Sequence, residues 1–405
     1  MTKQGVIVGA NQSQSVMLSL GFLATLNVHL LLFSYSPLIP NIASELTLTN
    51  AEAGFLFSIS ILTLMIFRIP WGILFDRKGF KKTMTLALLL MGVFGLARGF
   101  AVDYFSLLAT QFFLGIGLSG VIPAIPRLVS CWFPREKTGV ATGVCLAGFP
   151  VGDFVALSFT PFLLLALGSW RQVFQVYGAW CLVLVVLWWR FAHDTEKEGN
   201  LPAANSLRSE FTKLLKNRLV WVLTGLYFCA GGCYDTLLVW LPNVLQAQGI
   251  DAVSASFVAS MLPAGFLVSA IVVGAFSDRL GLRKPFVLMM GAASGPVLFL
   301  TGTMGGLPVY ATAFLSGLCT VGVLTIVLSV PVETPSLSRS LSSVLGIVAS
   351  VGNLGSFLLP TLVGQLRDIS GTFLLSMIVL AVVGEGMLAL GLLLPETGWK
   401  RKHDA

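Results

Sequence analysis

Long apolar runs separated by short polar connections set the layout of the chain. The runs lie near 16–42, 52–75, 82–101, 104–132, 138–166, 172–192, 219–244, 253–276, 284–303, 308–331, 342–366 and 372–394. Each is close to the twenty or so residues that a hydrocarbon core of about 30 Å requires of a helix. They predict an all-α polytopic membrane protein with twelve transmembrane helices. Connections are short except at 193–218, where His193-Asp-Thr-Glu-Lys-Glu-Gly-Asn-Leu-Pro202 and an amphipathic stretch over 206–216 break the pattern. The expected organisation is a six-helix bundle over 1–192, a linker over 193–218, and a second six-helix bundle over 219–405 that ends in a short tail.

The two halves carry one pattern twice. Arg68-Ile-Pro-Trp-Gly-Ile-Leu-Phe-Asp-Arg-Lys-Gly-Phe-Lys-Lys82 leaves an apolar span through a basic turn, and Gly274-Ala-Phe-Ser-Asp-Arg-Leu-Gly-Leu-Arg-Lys284 does the same. A constant spacing of 202 residues separates Gly72 from Gly274, Asp76 from Asp278 and Lys82 from Lys284. Pro40-Asn41 and Pro242-Asn243 keep that spacing, and Gly152-Asp-Phe154 matches Gly355-Ser-Phe357 at 203. Internal duplication of apolar spans is the signature of a secondary transporter, whose site lies near the bilayer midplane. Glycine and proline recur inside the spans, at Gly115, Gly117, Gly120, Gly143, Gly148, Pro150, Gly346, Gly352 and Gly355 among others. Small residues let helices approach and prolines kink them, which suits helices that rock.

Composition and charge narrow the reading further. Of 405 residues 56% are hydrophobic and 11% charged, where soluble domains carry about 25% charged residues. The net charge of +7 needs no nucleic-acid partner once the basic residues are placed against the spans. With a cytoplasmic N-terminus, 20 of the 25 lysines and arginines fall on the cytoplasmic side. Arg98, Arg171 and Arg367 fall on the other, with Arg68 and Arg127 inside spans. Both termini are therefore expected in the cytoplasm of a prokaryotic plasma membrane. The first fifteen residues lack the basic-then-apolar order of a cleaved signal, so the first span is expected to direct insertion. All six cysteines lie in or beside apolar spans. Cys229 and Cys233 share a helix face, yet without histidines nearby they read as packing residues and no metal site is expected. No catalytic triad, metal cluster or phosphate loop is visible, so neither an enzyme nor a cofactor is expected.

The paired turn motif, the twelve spans and the central linker resemble the major facilitator superfamily over the full chain. Trp132-Phe-Pro-Arg-Glu-Lys-Thr-Gly-Val-Ala-Thr-Gly143 and Ser169-Trp-Arg-Gln-Val-Phe174 look like the same family. The resemblance implies alternating access, with the first, fourth, seventh and tenth spans lining a cavity. Arg68-Ile-Pro-Trp-Gly72 and Gly352-Asn-Leu-Gly355 resemble the nitrate/nitrite porter branch, in which an arginine of the second span contacts the anion. The second arginine of those porters has no counterpart here, since the matching residue is Ala270. Gly115-Ile-Gly117, Pro126-Arg127 and Trp240-Leu-Pro242 resemble the cyanate-permease branch. Gln111 stands where many proton-coupled members carry an arginine.

A charge inside the bilayer costs at least about 2.5–3.5 kcal/mol, so each intramembrane ionisable group is a candidate. Arg68 lies eight residues before Asp76, about 12 Å along a helix, and its planar fork suits a carboxylate or oxyanion; pairing with an internal acid is the competing role. Arg127 offers a second anion contact or an ion pair at a gate. Asn27 and His29 on the first span, Tyr227 on the seventh and Asn353 on the eleventh supply hydrogen-bonding groups, against packing roles for each. Asp153 and Asp235 are candidate coupling groups, by proton exchange or by neutralising the arginines. Gly72, Asp76, Arg77 and Gly79, with Gly274, Asp278, Arg279 and Gly281, form a conformational switch in which the aspartates meet helix N-termini. Together these features anticipate a secondary transporter of a small organic or inorganic anion, with protons or a counter-substrate as partners. The alternative is export of amphiphilic or cationic compounds, in which Asp153 and Asp235 bind the substrate.

Overall fold

Residues 3–193, 214–338 and 340–398 are described by the computed structural model. The linker over 194–213 and the end of the tail from 399 lie outside the described residues. Twelve helices among the described residues are long and apolar enough to cross a membrane. They are α1 (Gln14–Leu46), α2 (Asn50–Lys78), α3 (Phe80–Phe100), α4 (Tyr104–Trp132), α5 (Thr138–Leu167), α6 (Trp170–Phe191), α7 (Arg218–Ala247), α8 (Ala252–Leu280), α9 (Lys284–Thr303), α10 (Pro308–Glu333), α11 (Ser343–Ser370) and α12 (Leu374–Leu392). A helix is the form in which a lipid-immersed segment satisfies its own backbone.

The ends and the breaks of these helices follow local chemistry. Asp103 caps α4 through a reciprocal capping box with Ser106, Ser169 caps α6, and Asp251 caps α8 by accepting from the Val253 and Ser254 N–H groups. Such a cap satisfies donors that the first turn leaves open. Within α1, Pro37 lies in a 3-10 turn over Ser36–Leu38. The helices α8 and α11 pause at Ser260 and Asn353, so the even apolar runs of the sequence conceal three interruptions.

The chain divides into two compact units, Met1–Leu48 with Ile59–Gly199, and Thr49–Ser58 with Asn200–Ala405. In the first, α1 packs on α5, and α3 packs on both α4 and α6. In the second, α7 packs on α11, and α9 packs on α10 and α12. Counterpart helices thus repeat their pairings, as the 202-residue spacing anticipates. The division also places the first nine residues of α2, 50–58, with the second unit. There Asp368 accepts from the backbone N–H groups of Asn50 and Ala51, at 3.1 and 2.8 Å, and from the Asn50 side chain at 2.6 Å. A carboxylate on the first N–H groups of a helix satisfies open donors and complements the helix dipole.

Near the Ser169-Trp-Arg motif, Trp170 donates to Glu45 at 2.5 Å. Arg171 pairs with Glu45 and donates to the Ala101 carbonyl at 2.9 Å, so the motif fastens the start of α6 to the end of α1. Arg98, placed by the charge count beyond the spans, is instead fully buried. It donates to the Leu31 carbonyl at 2.9 Å and lies 4.1 Å from the centre of the Phe174 ring. Those two contacts offset part of the desolvation that its charge incurs.

Candidate functional site

The first unit joins two of the predicted residues that the sequence could not pair. His29 on α1 and Asp153 on α5 share a hydrogen bond of 2.7 Å, with Asp153 fully buried and His29 one-fifth exposed. The imidazole also lies 4.5 Å from the Phe149 ring and 5.4 Å from the Phe33 ring, centre to centre. This proximity depends on glycine. A methyl group on Gly152 would meet the Leu26 carbonyl at 2.3 Å, and one on Gly148 the Phe22 carbonyl at 2.5 Å, so α1 and α5 touch backbone to backbone. Asn27, two residues from His29, is fully buried and donates to the Leu23 carbonyl at 2.9 Å. Its Oδ1 accepts no hydrogen bond. Buried amide oxygens are rarely left so.

Arg68 is half-buried on α2. Arg127, which the sequence left between anion contact and ion pair, is paired with Asp76, and each side chain is 29% exposed. The carboxylate takes one edge of that guanidinium, so the geometry favours the ion pair over an anion contact. Asp76 thus meets this arginine of α4 within the first unit. Arg77 is exposed. Gln111, on α4, is buried and accepts from Ser60 through its backbone carbonyl at 3.1 Å.

The second unit uses the same turn with different partners. Asp278 is joined to Arg283, and Arg283 also binds Glu333 at the end of α10. The Glu333 carboxylate and the hydrogen bonds it accepts raise the pKa of the Arg283 guanidinium further above its ordinary value, against partial burial. Glu396 accepts from the Arg283 and Lys284 N–H groups at 2.7 and 3.1 Å, which binds the segment after α12 to this turn. The α4 partner of the first turn is thus a cation and the α10 partner of the second an anion, with Arg283 bridging the two acids. Arg279 is exposed, as Arg77 is. Arg283, Glu333 and Glu396 went unrecognised in the sequence because their meeting depends on helix packing; the arginine before Lys284 in the motif was the available sign.

The motif glycines separate into two kinds. Gly79 and Gly281 hold φ of +82° and +64°, a region costly to residues with a Cβ, so glycine is required by the turn itself. Around Gly72 a methyl group would meet nothing within 4 Å, and around Gly274 only Thr325 Cγ2 at 3.8 Å. Neither is demanded by packing in this conformation.

Tyr227 lies against Gly352, the residue before the pause of α11 at Asn353. A methyl group on Gly352 would meet the Tyr227 ring at 2.6 Å, and one on Gly355 would meet the Phe228 carbonyl at 2.2 Å. The Gly352-Asn-Leu-Gly355 segment is therefore the place where α11 lies directly on α7, with Asn353 half-buried at the pause. Tyr234 stands edge-on to Phe266, ring centres 5.7 Å apart, and Asp235 beside it is half-buried. No group of three or more metal-ligating side chains occurs among the described residues.

Comparison with known proteins agrees with this architecture. The family profile of the Major Facilitator Superfamily matches residues 21–360. The 3-(3-hydroxy-phenyl)propionate transporter of Escherichia coli is 28% identical, over 95% of this chain and 94% of its own length. The nitrite extrusion protein of Bacillus subtilis is 26% identical, over 91% of this chain and 92% of its own. A probable nitrate transporter of Staphylococcus aureus is also 26% identical, over 92% of each chain. Among solved structures, a bacterial homologue of the human lysosomal transporter Spinster superposes with a TM-score of 0.73 at 16% identity, over 94% of each chain. With the family profile covering eleven of its twelve helices, in whole or in part, and a duplicated six-helix fold, the chain belongs to the Major Facilitator Superfamily.

Proposed function

We propose that the protein is a secondary transporter that moves a small anion across the membrane by alternating access, with both termini on the cytoplasmic side. The observation that carries this reading is the full-length similarity to transporters named for an arylpropionate, nitrite and nitrate. Arg68 is the first contact assigned to the anion, since a guanidinium presents paired donors to a carboxylate or oxyanion. Asn27 in the first unit, and Tyr227 and Asn353 in the second, are each kept as candidate hydrogen-bonding groups for a substrate. The coupling assigned to the anion is to protons, on the hydrogen-bonded His29–Asp153 pair and on Asp235, a separate carboxylate of the seventh helix. Arg127 is withdrawn from the substrate and given to the Asp76 pair.

Thermal stabilisation of purified protein tests the assignment. Nitrate, nitrite, cyanate, an arylpropionate and mono- and dicarboxylates are compared with lipophilic cations, for wild type and Arg68→Gln. A ligand at 100 times its Kd stabilises the native state by about 2.7 kcal/mol. One or more anions stabilising wild type and not Arg68→Gln is the expected result. Stabilisation by cations alone, equal in the variant, overturns the anion reading in favour of an exporter of cationic compounds. In proteoliposomes, Asp153→Asn is expected to retain anion exchange and lose accumulation driven by a pH gradient.

A further inference from the structure

Beyond the transport reading, and independent of it, one end of the α3–α6 pair carries charge and aromatic surface that no transport role uses. The two helices pack along their length, brought close where Gly92 meets Leu182 and Gly178 meets Leu96. Each turns an apolar stripe outward, through Leu86, Leu89 and Val93 on α3, and through Val176, Trp180, Val183 and Val186 on α6. The spacing of three and four places each set on one helix face. Both stripes run toward the end where α3 begins and α6 finishes. There Phe80 packs on Trp188 with ring centres 5.6 Å apart, and Lys81 Nζ stands 5.2 Å above the Trp189 ring. Trp189 is 55% exposed and Phe191 45%. Lys82 and Arg190 are exposed beside them, with the Arg190 guanidinium 5.4 Å from the Phe191 ring centre. The acid of this turn, Asp76, is bound to Arg127.

We propose that the start of α3 and the end of α6 form a binding site for an anionic phospholipid, its phosphate held by Lys81, Lys82 and Arg190 and its acyl chains along the exposed stripes. Exposed tryptophan belongs at the headgroup level of a bilayer, and long basic side chains lay their stems on apolar surface while the charge reaches the headgroup. A soluble phosphate would use the three cations and leave the stripes idle. The combination of stripe, aromatic rim and cation cluster selects a lipid.

Native mass spectrometry of the delipidated full chain in detergent, titrated with phosphatidylglycerol or with phosphatidylcholine of the same acyl chains, reads the binding directly. Juxtamembrane basic residues contribute about fivefold each to affinity for anionic lipid. Combined Lys81→Gln, Lys82→Gln and Arg190→Gln should therefore weaken phosphatidylglycerol binding about a hundredfold. Combined Lys137→Gln, Lys216→Gln and Arg218→Gln removes the same charge from exposed positions elsewhere and should change it by less than about threefold. Equal binding of the two lipids, equal losses in the two variants, or displacement of the lipid by millimolar inorganic phosphate each overturns the site. If the triple variant loses its thermal transition, Lys82→Gln and Arg190→Gln alone decide the matter, each expected to weaken binding about fivefold.

Discussion

Adding one methyl group at Gly355 tests whether the contact between α7 and α11 is as close as it looks. In Gly355→Ala the new Cβ would lie 2.2 Å from the Phe228 carbonyl oxygen, 3.0 Å from its carbon and 3.2 Å from Gly232 Cα. A carbon and an oxygen rest about 3.3–3.6 Å apart, so the helices must part by roughly 1 Å. All three obstacles are backbone, so no side chain can swing aside, and α7 is the most buried of the twelve spans, at 78% of its apolar window. Overpacking of this kind costs about 1–3 kcal/mol, against a gain of up to about 1 kcal/mol from replacing a helical glycine with alanine. With only backbone to yield, the cost belongs to the upper part of that range, about 2–3 kcal/mol, which leaves a net loss of about 1–2 kcal/mol; at about 2–4 °C per kcal/mol for a unit of some 200 residues, the apparent Tm should fall by roughly 2–8 °C. Gly346, on the same span, is exposed and has nothing within 4 Å of its added Cβ, so Gly346→Ala should hold the Tm or raise it. A thiol-reactive dye reads both in detergent, since five of the six free cysteines are buried until unfolding. A Tm for Gly355→Ala at or above wild type, or an equal fall for Gly346→Ala, refutes the packing argument.

Two further outcomes are expected. The Asp76–Arg127 pair is part-exposed and contributes no more than about 1 kcal/mol to stability, so Asp76→Asn and Arg127→Gln should leave the Tm nearly unchanged. Each should slow transport, with the double variant no slower than the worse single one; additive losses in flux would show that the two act separately. At α8, the Ser254 and Val253 N–H groups hold the Asp251 carboxyl below its ordinary value. Its stabilisation is therefore complete at neutral pH and is lost as pH falls below about 3.9, through the lowered folded value. Asp251→Ala should lower the Tm at pH 7 by a margin that shrinks under acid; a gap that stays constant from pH 7 to 3 contradicts this.

Much of the fold was legible because it is written in one dimension. Apolar run length gave the twelve spans, and the 202-residue repeat anticipated that α1 with α5 would mirror α7 with α11. The glycines at Gly79 and Gly281 were marked by the motif, each three residues after its aspartate. What stayed hidden depends on which helices touch. His29 and Asp153 lie 124 positions apart, and nothing local to either identifies the other. Arg98 looked like a loop cation because it stands near the end of a run, whereas neighbouring spans close over it. Arg283 and Glu333 show a further limit: the turn was duplicated, but the side chain that meets it from the fourth helix of each half changed sign. The pauses at Ser260 and Asn353 escaped notice because apolar residues continue across them.

Gly72 has a bearing on how variants of this protein are scored. Its surroundings leave room for a methyl group, so an alanine there is expected to fold, insert and accumulate as wild type does. If its role as a switch residue belongs to another conformation, the cost of Gly72→Ala appears only in turnover. A screen that counts protein abundance would pass the variant as silent, and one that counts growth on the substrate would record a loss. Gly355→Ala, which loosens the packing itself, is expected to register in both.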